Sequence, residues 1–195
     1  LAHMHLAGQD FEHEQPNLRG LPWWNETAPL VYPHLDSAQS ALLQSELAYQ
    51  NHIAASAEYQ ALPRGPVHAD LFRDNAIFEG EKLSGCFDFY FAGVDTWLFD
   101  LCVCLNDWAI THADGLHEPQ RAQALLDAYQ AVRPLTAAER QLLPAMARAA
   151  ALRYWISRLW DFYLPRQASM LTPHDPTHME RVLRGRYQQP LVLAA

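Results

Sequence analysis

The sequence predicts a mainly α-helical domain with one small β-hairpin. Three observations carry that prediction. Most of the chain falls into long segments of helical apolar spacing bounded by capping residues. Only one stretch, "NAIFEGEKLSGCFDF" (75–89), reads as two short strands around a turn. Half of the 195 residues are hydrophobic, enough to bury a sizeable core, and no repeat, low-complexity tract or linker divides the chain.

In chain order, "LAHMHLAG" (1–8) reads as the last turns of a helix. Leu1, Met4 and His5 fall near one face, and Gly8 is a suitable stop. The stretch from Glu12 to Pro33, rich in Pro, Asn and Gly and carrying Trp23 and Trp24, is expected to be a loop. Residues 35–62 read as one helix. Asp36 or Ser37 can cap it, Leu42, Leu43, Leu47 and Ile53 form its stripe, and "LPRGP" ends it.

"PVHAD" (66–70) is a short extended segment, followed by the hairpin with its turn at Glu79-Gly80. "FDLCVCLNDWAI" (99–110) is helical, with Asp100 where a carboxylate suits the helix dipole. Residues 118–132 form another helix. Residues 136–164 follow, opened by a Thr136/Glu139 capping box, with Pro144 either kinking or splitting the helix. Residues 175–187 make a last short one.

The formal charge is −8, with a single Lys, Lys82, among 14 basic residues. That excludes a nucleic-acid surface, which needs clustered cations, but not a nucleotide substrate. The three Cys, Cys86, Cys102 and Cys104, form no C-x-x-C frame and read as reduced thiols; Cys102 and Cys104 in "LCVCL" read as core. No apolar run reaches the ~18 residues of a membrane span, and the first residues do not resemble a signal peptide. The expectation is a soluble, cytoplasmic protein. The opening helix without an initiator Met or cap suggests a piece of a longer chain.

The polar stretch "HADLFRDN" (68–75) carries the chemistry. Asp70 precedes Asn75 by five positions, and Asp88 follows thirteen later. A hairpin that leaves at Asn75 and returns at Asp88 can bring those two face to face at its open end, with Asp70 on the loop beside them. Two oxygen donors next to a free carboxylate suit Mg²⁺, which is held by one or two protein groups plus substrate phosphates. The free Asp can orient a hydroxyl and take its proton as it attacks phosphorus. That is a phosphoryl-transfer layout: Asp70 as base, Asn75 and Asp88 on the metal.

The order matches the kinase loop H-R-D-x-x-x-x-N followed by D-F-G, here His68-Ala69-Asp70 to Asn75 and then Asp88-Phe89-Tyr90. Ala69 in place of Arg, Tyr90 in place of Gly and no A-P-E element point from protein kinases to small-molecule kinases. The segments "LAHMHLAG", "NLRGLPWW", "VHADLFRDNAIFEGEKLSGCFDFYFAGVDTWLFDLCVCLNDWAI", "ALRYWISRLWDFYLPR" and "ERVLRGR" together resemble the homoserine kinases of the aminoglycoside-phosphotransferase-like group. The resemblance runs over nearly the whole chain.

It implies a protein-kinase-like C-terminal lobe over residues 1–195, with the β-rich N-terminal lobe absent, and an ATP- and Mg²⁺-dependent phosphorylation of L-homoserine on the way to threonine. It implies that Asp100 hydrogen-bonds the catalytic loop, where position alone suggests an ordinary cap, and that His68 braces the loop rather than acting as a base. Arg73, where the family more usually has Pro, implies a less rigid loop. The family's Gly-rich phosphate loop is not found, and Lys82, inside the hairpin, cannot pair ATP phosphates. The polypeptide alone is therefore expected to be inactive.

For the acceptor end, a carboxylate calls for an Arg fork. Arg153 and Trp160, seven apart, share a helix face, with Arg158 and Asp161 nearby. Arg158 and Asp161 also fit a plain surface pair. Tyr90, Arg19 and Trp23 are further candidates for the pocket. The ten His lack the partners of a zinc set and read as scattered surface residues; Asp74 reads as solvated. Two alternatives stay open: a kinase of the same fold acting on a choline-like or aminoglycoside substrate, and a non-catalytic lobe used for binding.

Overall fold

The computed structural model describes residues 1–13, 15–164 and 173–193. Among them are eight α-helices and two separate two-stranded antiparallel sheets. Glu14 of the expected loop, and Pro165 and Arg166 of the "ALRYWISRLWDFYLPR" motif, lie outside the described residues.

Helix α1 (Ala2–Ala7) ends at Gly8 as its sequence suggests. Helix α2 (Leu21–Val31) corrects the loop expected over residues 12–33. Its Pro22 falls at the start, where the missing N–H is harmless. Its interior Pro29 is tolerated because Trp24, Thr27, Ala28 and Val31 bury one face; packing outweighs local propensity.

Helix α3 (Ser37–Ala54) opens with a capping box, Asp36 taking the N–H of Gln39 and the Gln39 side chain reaching back. The single helix expected to Leu62 is in fact broken after Ala54. Ser56 accepts the N–H of Tyr59 and starts a separate turn, α4 (Ala57–Gln60), a use of serine that competes with helix continuation.

Strand β1 (Arg64–Val67) leads to the site loop. Strands β2 (Ala76–Glu79) and β3 (Lys82–Cys86) form the expected hairpin, with Gly80 left-handed at φ 62° in its turn. Strand β4 (Gly93–Thr96) returns to pair with β1, Val67 opposite Gly93. At four residues with a leading Gly, β4 has no alternation to betray it.

Helix α5 (Trp97–Trp108) is buried on nearly all sides from Trp97 to Asp107, as a helix apolar around its circumference must be. After α6 (Pro119–Val132) comes α7 (Ala137–Tyr163), opened by the Thr136/Glu139 box. Pro144 does not split it: the helix runs unbroken, with buried Leu142, Leu143, Ala145 and Met146 around the proline. Helix α8 (Thr177–Gln188) closes the fold.

Helix α7 is the centre, packed by α2, α3, α5 and α8. One polar knot ties three helices there. Buried Glu46 of α3 accepts from Arg148 of α7 and from the hydroxyl of Tyr187 of α8, while the Arg148 guanidinium lies between the rings of Tyr49 and Tyr187 at 3.8 and 4.1 Å. Among the described residues no helix is long and apolar enough to cross a membrane. The three Cys are free, and Cys102 and Cys104 are core residues as expected.

The reading of the histidines as surface residues fails for His5, His68 and His117, which are buried. Burial, with Arg186 nearby, pushes His117 down to about 3. His5 belongs to the site described next.

Candidate active site

The loop from His68 to Asn75 is short, polar and wrapped around its own carbonyls. Phe72 N–H bonds Asp70 O at 2.8 Å, Asn75 N–H bonds Phe72 O at 3.0 Å, and the Asn75 amide returns to Asp70 O at 2.7 Å. Those bonds fold the five-residue step from Asp70 to Asn75 back on itself. The Asp70 carboxylate and the Asn75 carboxamide then sit side by side, with Asn75 Nδ2 also 3.5 Å from Asp70 Oδ2.

One face of α5 carries this loop. Asp100, Cys104, Asp107 and Trp108 stand at i, i+4, i+7 and i+8, a single helical stripe. Asp100 accepts the N–H groups of His68 (2.9 Å) and Ala69 (2.8 Å). Cys104 Sγ and Trp108 Nε1 both donate to Leu71 O. Asp107 accepts the N–H and the guanidinium of Arg73. Arg73 thus gives the loop an anchor that a proline, with no N–H, could not make; its side chain also meets the ring of His112. The family-implied contact between Asp100 and the loop is present, and Asp100 is not the ordinary cap its position suggested: Thr96 caps α5 by accepting the N–H of Phe99.

Behind Asp100 lies a relay of donors that sequence reasoning missed. Arg133 donates to the Tyr129 hydroxyl (3.2 Å), which is 2.8 Å from His5 Nδ1, and His5 Nε2 is 3.0 Å from Asp100 Oδ2. With the His5 proton on Nε2, every bond in this series runs toward Asp100. Glu139, the acid of the α7 capping box, holds Arg133 from the other side at 2.9 Å, and His5 stacks flat on Trp97.

At the far end of the hairpin, Phe87 N–H bonds Asn75 O at 3.1 Å, so the open end closes at Asn75 and delivers Asp88 next to it. Asp88 is itself left-handed, φ 63°, an uncommon conformation tolerated by Asp. His68 braces this junction: its Nε2 is 3.0 Å from Phe87 O and its ring packs on Phe89. Asp74 is exposed.

Asp70 sits half-buried among charges. Burial pushes its carboxyl above the usual Asp range. The Arg153 guanidinium, the Tyr154 hydroxyl (2.8 Å from Oδ1) and His68 pull the other way, and Asp88 adds to the rise. Arg153 is 2% exposed. Its guanidinium lies over the rings of Tyr154 and Phe91 at 3.9 and 4.7 Å, and its Nε and Nη2 have no hydrogen-bond partner among the described residues. Two buried N–H groups without hydrogen bonds are costly; the charge itself is answered in part by the nearby Asp70 carboxylate and the two ring faces.

The other acceptor-end candidates spread out from there. Arg19 stacks on Trp23, Trp160 and Phe91 at 4.1, 4.9 and 5.7 Å. Arg153 and Trp160 therefore do share a face, with Phe91 and Arg19 joining them. Arg158 is half-buried, its pKa lowered by burial; Asp161 is exposed. Tyr90 points outward, 78% exposed, and its neighbour Phe91 makes the contact with Arg153. Among the described residues no three His, Cys, Asp or Glu side chains converge on a metal position, so a metal held by Asn75 and Asp88 would draw its other ligands from elsewhere, as Mg²⁺ on phosphates does.

The chain is 62% identical over 193 residues to a protein of Polaromonas naphthalenivorans named homoserine kinase, covering 99% of this chain and 61% of that one. It is 60% identical over 191 residues to the homoserine kinase of Cupriavidus necator, covering 95% and 58%, and 57% identical over 189 residues to that of a Janthinobacterium strain, covering 97% and 59%. The chain thus spans about three fifths of the length of the curated relatives it matches. A family profile described as "Phosphotransferase enzyme family" matches residues 1–135, the segment that holds His68, Asp70, Asn75, Asp88 and Asp100, and the chain belongs to that family.

Proposed function

We propose that these residues are the helical, acceptor-binding lobe of an ATP-dependent homoserine kinase, and that the β-rich lobe with most nucleotide contacts lies outside them. The relatives' shared name, at 57–62% identity over nearly all of this chain, is the observation that carries the acceptor. The Asp70, Asn75 and Asp88 arrangement supports the chemistry.

In this reading Asp70 orients the side-chain hydroxyl of homoserine and takes its proton as the oxygen attacks the γ-phosphorus of ATP, the bond to the β,γ-bridging oxygen breaking and ADP leaving with that oxygen. The Asp70 carboxyl, raised by burial, is a better proton acceptor than an exposed one. Asn75 and Asp88 would hold Mg²⁺. The fit rests on hard oxygen donors: the Asn75 amide nitrogen is taken up by Asp70 O, which leaves Oδ1 as its acceptor atom, and Asp88 adds an exposed carboxylate. When bound, the ion would neutralise phosphate charge. Arg153 would pair with the acceptor's carboxylate. Arg158, Asp161 and Tyr90 remain secondary members of the same region. Three cysteines with no disulfide among them support action in the cytoplasm.

The buried Arg153, with Nε and Nη2 free of hydrogen bonds among the described residues, also supports this reading over a kinase for choline or aminoglycosides, whose cations it would repel. The full-length protein, offered homoserine, choline and kanamycin with MgATP, is expected to phosphorylate homoserine alone. Arg153→Met is expected to raise the KM for homoserine about 30-fold, the worth of roughly 2 kcal/mol for a hydrogen bond to a charged group. Turnover of choline or kanamycin above that of homoserine would sink the assignment, as would an unchanged KM for the role of Arg153.

A further inference from the structure

We propose that Tyr154 is a positioning residue for Asp70, its hydroxyl holding the carboxylate and the Ala69 peptide in one fixed arrangement. The inference rests on the reading of Asp70 as the base.

Ala69 is a non-glycine residue at φ 60°, a left-handed conformation that persists only when the surroundings enforce it. The enforcement comes from both sides. Asp100 Oδ1 takes the Ala69 N–H at 2.8 Å, and the Tyr154 hydroxyl meets the Ala69 carbonyl at 2.5 Å. The same hydroxyl is 2.8 Å from Asp70 Oδ1. A phenol has one proton, so it is shared between these two oxygens.

Tyr154 is also the only short side-chain partner of the Asp70 carboxylate among the described residues; the next, Asn75 Nδ2 to Oδ2, is at 3.5 Å. The ring cannot drift. Phe72 packs on it at 4.5 Å, the Arg153 guanidinium lies over it at 3.9 Å, and it is anchored in the middle of α7. Burial keeps the phenol protonated, well above its usual pKa, so it serves as a donor and not as a second base. An Asp otherwise swings about two side-chain torsions, and a misplacement of ~1 Å costs about a hundredfold in rate.

The test uses the full-length protein with homoserine and MgATP. Wild-type turnover that Asp70→Asn abolishes keeps the reading of Asp70; its absence defeats that reading and this inference with it. Given that turnover, Tyr154→Phe, which keeps the ring, is expected to lose about 30- to 100-fold in kcat, with both KM values within about threefold. A kcat within threefold of wild type overturns the proposal, and so does a raised KM with kcat unchanged, which would place Tyr154 on the substrate. Where Tyr154→Phe does not fold, it is read on an Ala69→Gly background, since glycine adopts φ 60° without strain. There the double variant is expected to lose more than tenfold in kcat relative to Ala69→Gly alone; equal values overturn the proposal.

Discussion

Replacing Asp70 with Asn is expected to lower kcat of the full-length protein about 10³-fold or more, while KM for ATP and homoserine and the melting temperature are not reduced. General-base catalysis contributes 10²–10⁴, and an amide of the same shape keeps an oxygen for the short Tyr154 bond, giving up only the long 3.5 Å contact with Asn75, while losing the ability to take a proton. Steady-state kinetics and a thermal melt check both halves.

The stability half follows from the sign of the shift. Burial raises the Asp70 carboxyl above its unfolded value, so the folded state binds that proton more tightly. The associated stability is present at low pH and is lost as pH rises through the raised value. At neutral pH the ionised Asp70 weakens the fold, and Asn removes that cost. A drop of more than a few degrees would mean that Asp70 is primarily structural.

The same raised value sets the acid limb of activity. Turnover is expected to fall with decreasing pH earlier than an exposed Asp would dictate. In Arg153→Met, which removes the largest opposing influence, the limb should shift further up. A limb that stays in place in that variant would show that another group controls it.

How far the site was legible in the sequence depends on how local each relation is. The five-residue step from Asp70 to Asn75 and the hairpin that returns at Asp88 are short-range and could be read directly, as could the caps at Asp36 and Thr136. Strand β4 and helix α2 were not legible, because each is stabilised by partners far along the chain. Strand β4 pairs with β1 across some thirty residues and its Val94 N–H donates to Gln15 O, and the two prolines of α2 argue locally against a helix that only its packing on α7 secures.

The support around Asp70 shows the same division. The stripe Asp100, Cys104, Asp107, Trp108 has helical spacing and could have been noticed as a row of groups able to hydrogen-bond in an otherwise apolar helix. Tyr154 could not: it lies 84 residues from Asp70, with no local pattern to single it out from the other aromatic residues of α7. His5 was misread for a related reason. His5, which shares no helix face with His3 to suggest a ligand pair, looks like surface until Tyr129 and Asp100 are brought to either side of it.

Asp100→Ala is expected to produce the largest loss of stability of any single polar substitution at the site, and to remove activity with it. Its side chain is fully buried and its two oxygens receive three donors: the backbone N–H groups of His68 and Ala69, and His5 Nε2. Alanine strands all three. Breaking a buried charge-assisted set in this way costs about 3–5 kcal/mol, which for a protein of this size lowers Tm by roughly 10 °C.

Asn is not a rescue. It retains one acceptor oxygen, but its amide nitrogen then faces a donor, so Asp100→Asn is expected to lie closer to Ala than to wild type. His5→Ala, which empties one position and leaves both backbone donors paired, should cost less than either. Thermal melts of the three variants in the full-length protein give the order: Asp100→Ala and Asp100→Asn low, His5→Ala between them and wild type. If His5→Ala were as damaging as Asp100→Ala, the loop would depend on the relay through Tyr129 more than on the two backbone bonds. If Asp100→Ala melted within 2 °C of wild type, the α5 stripe would not be what holds the strained Ala69 and the base beside it.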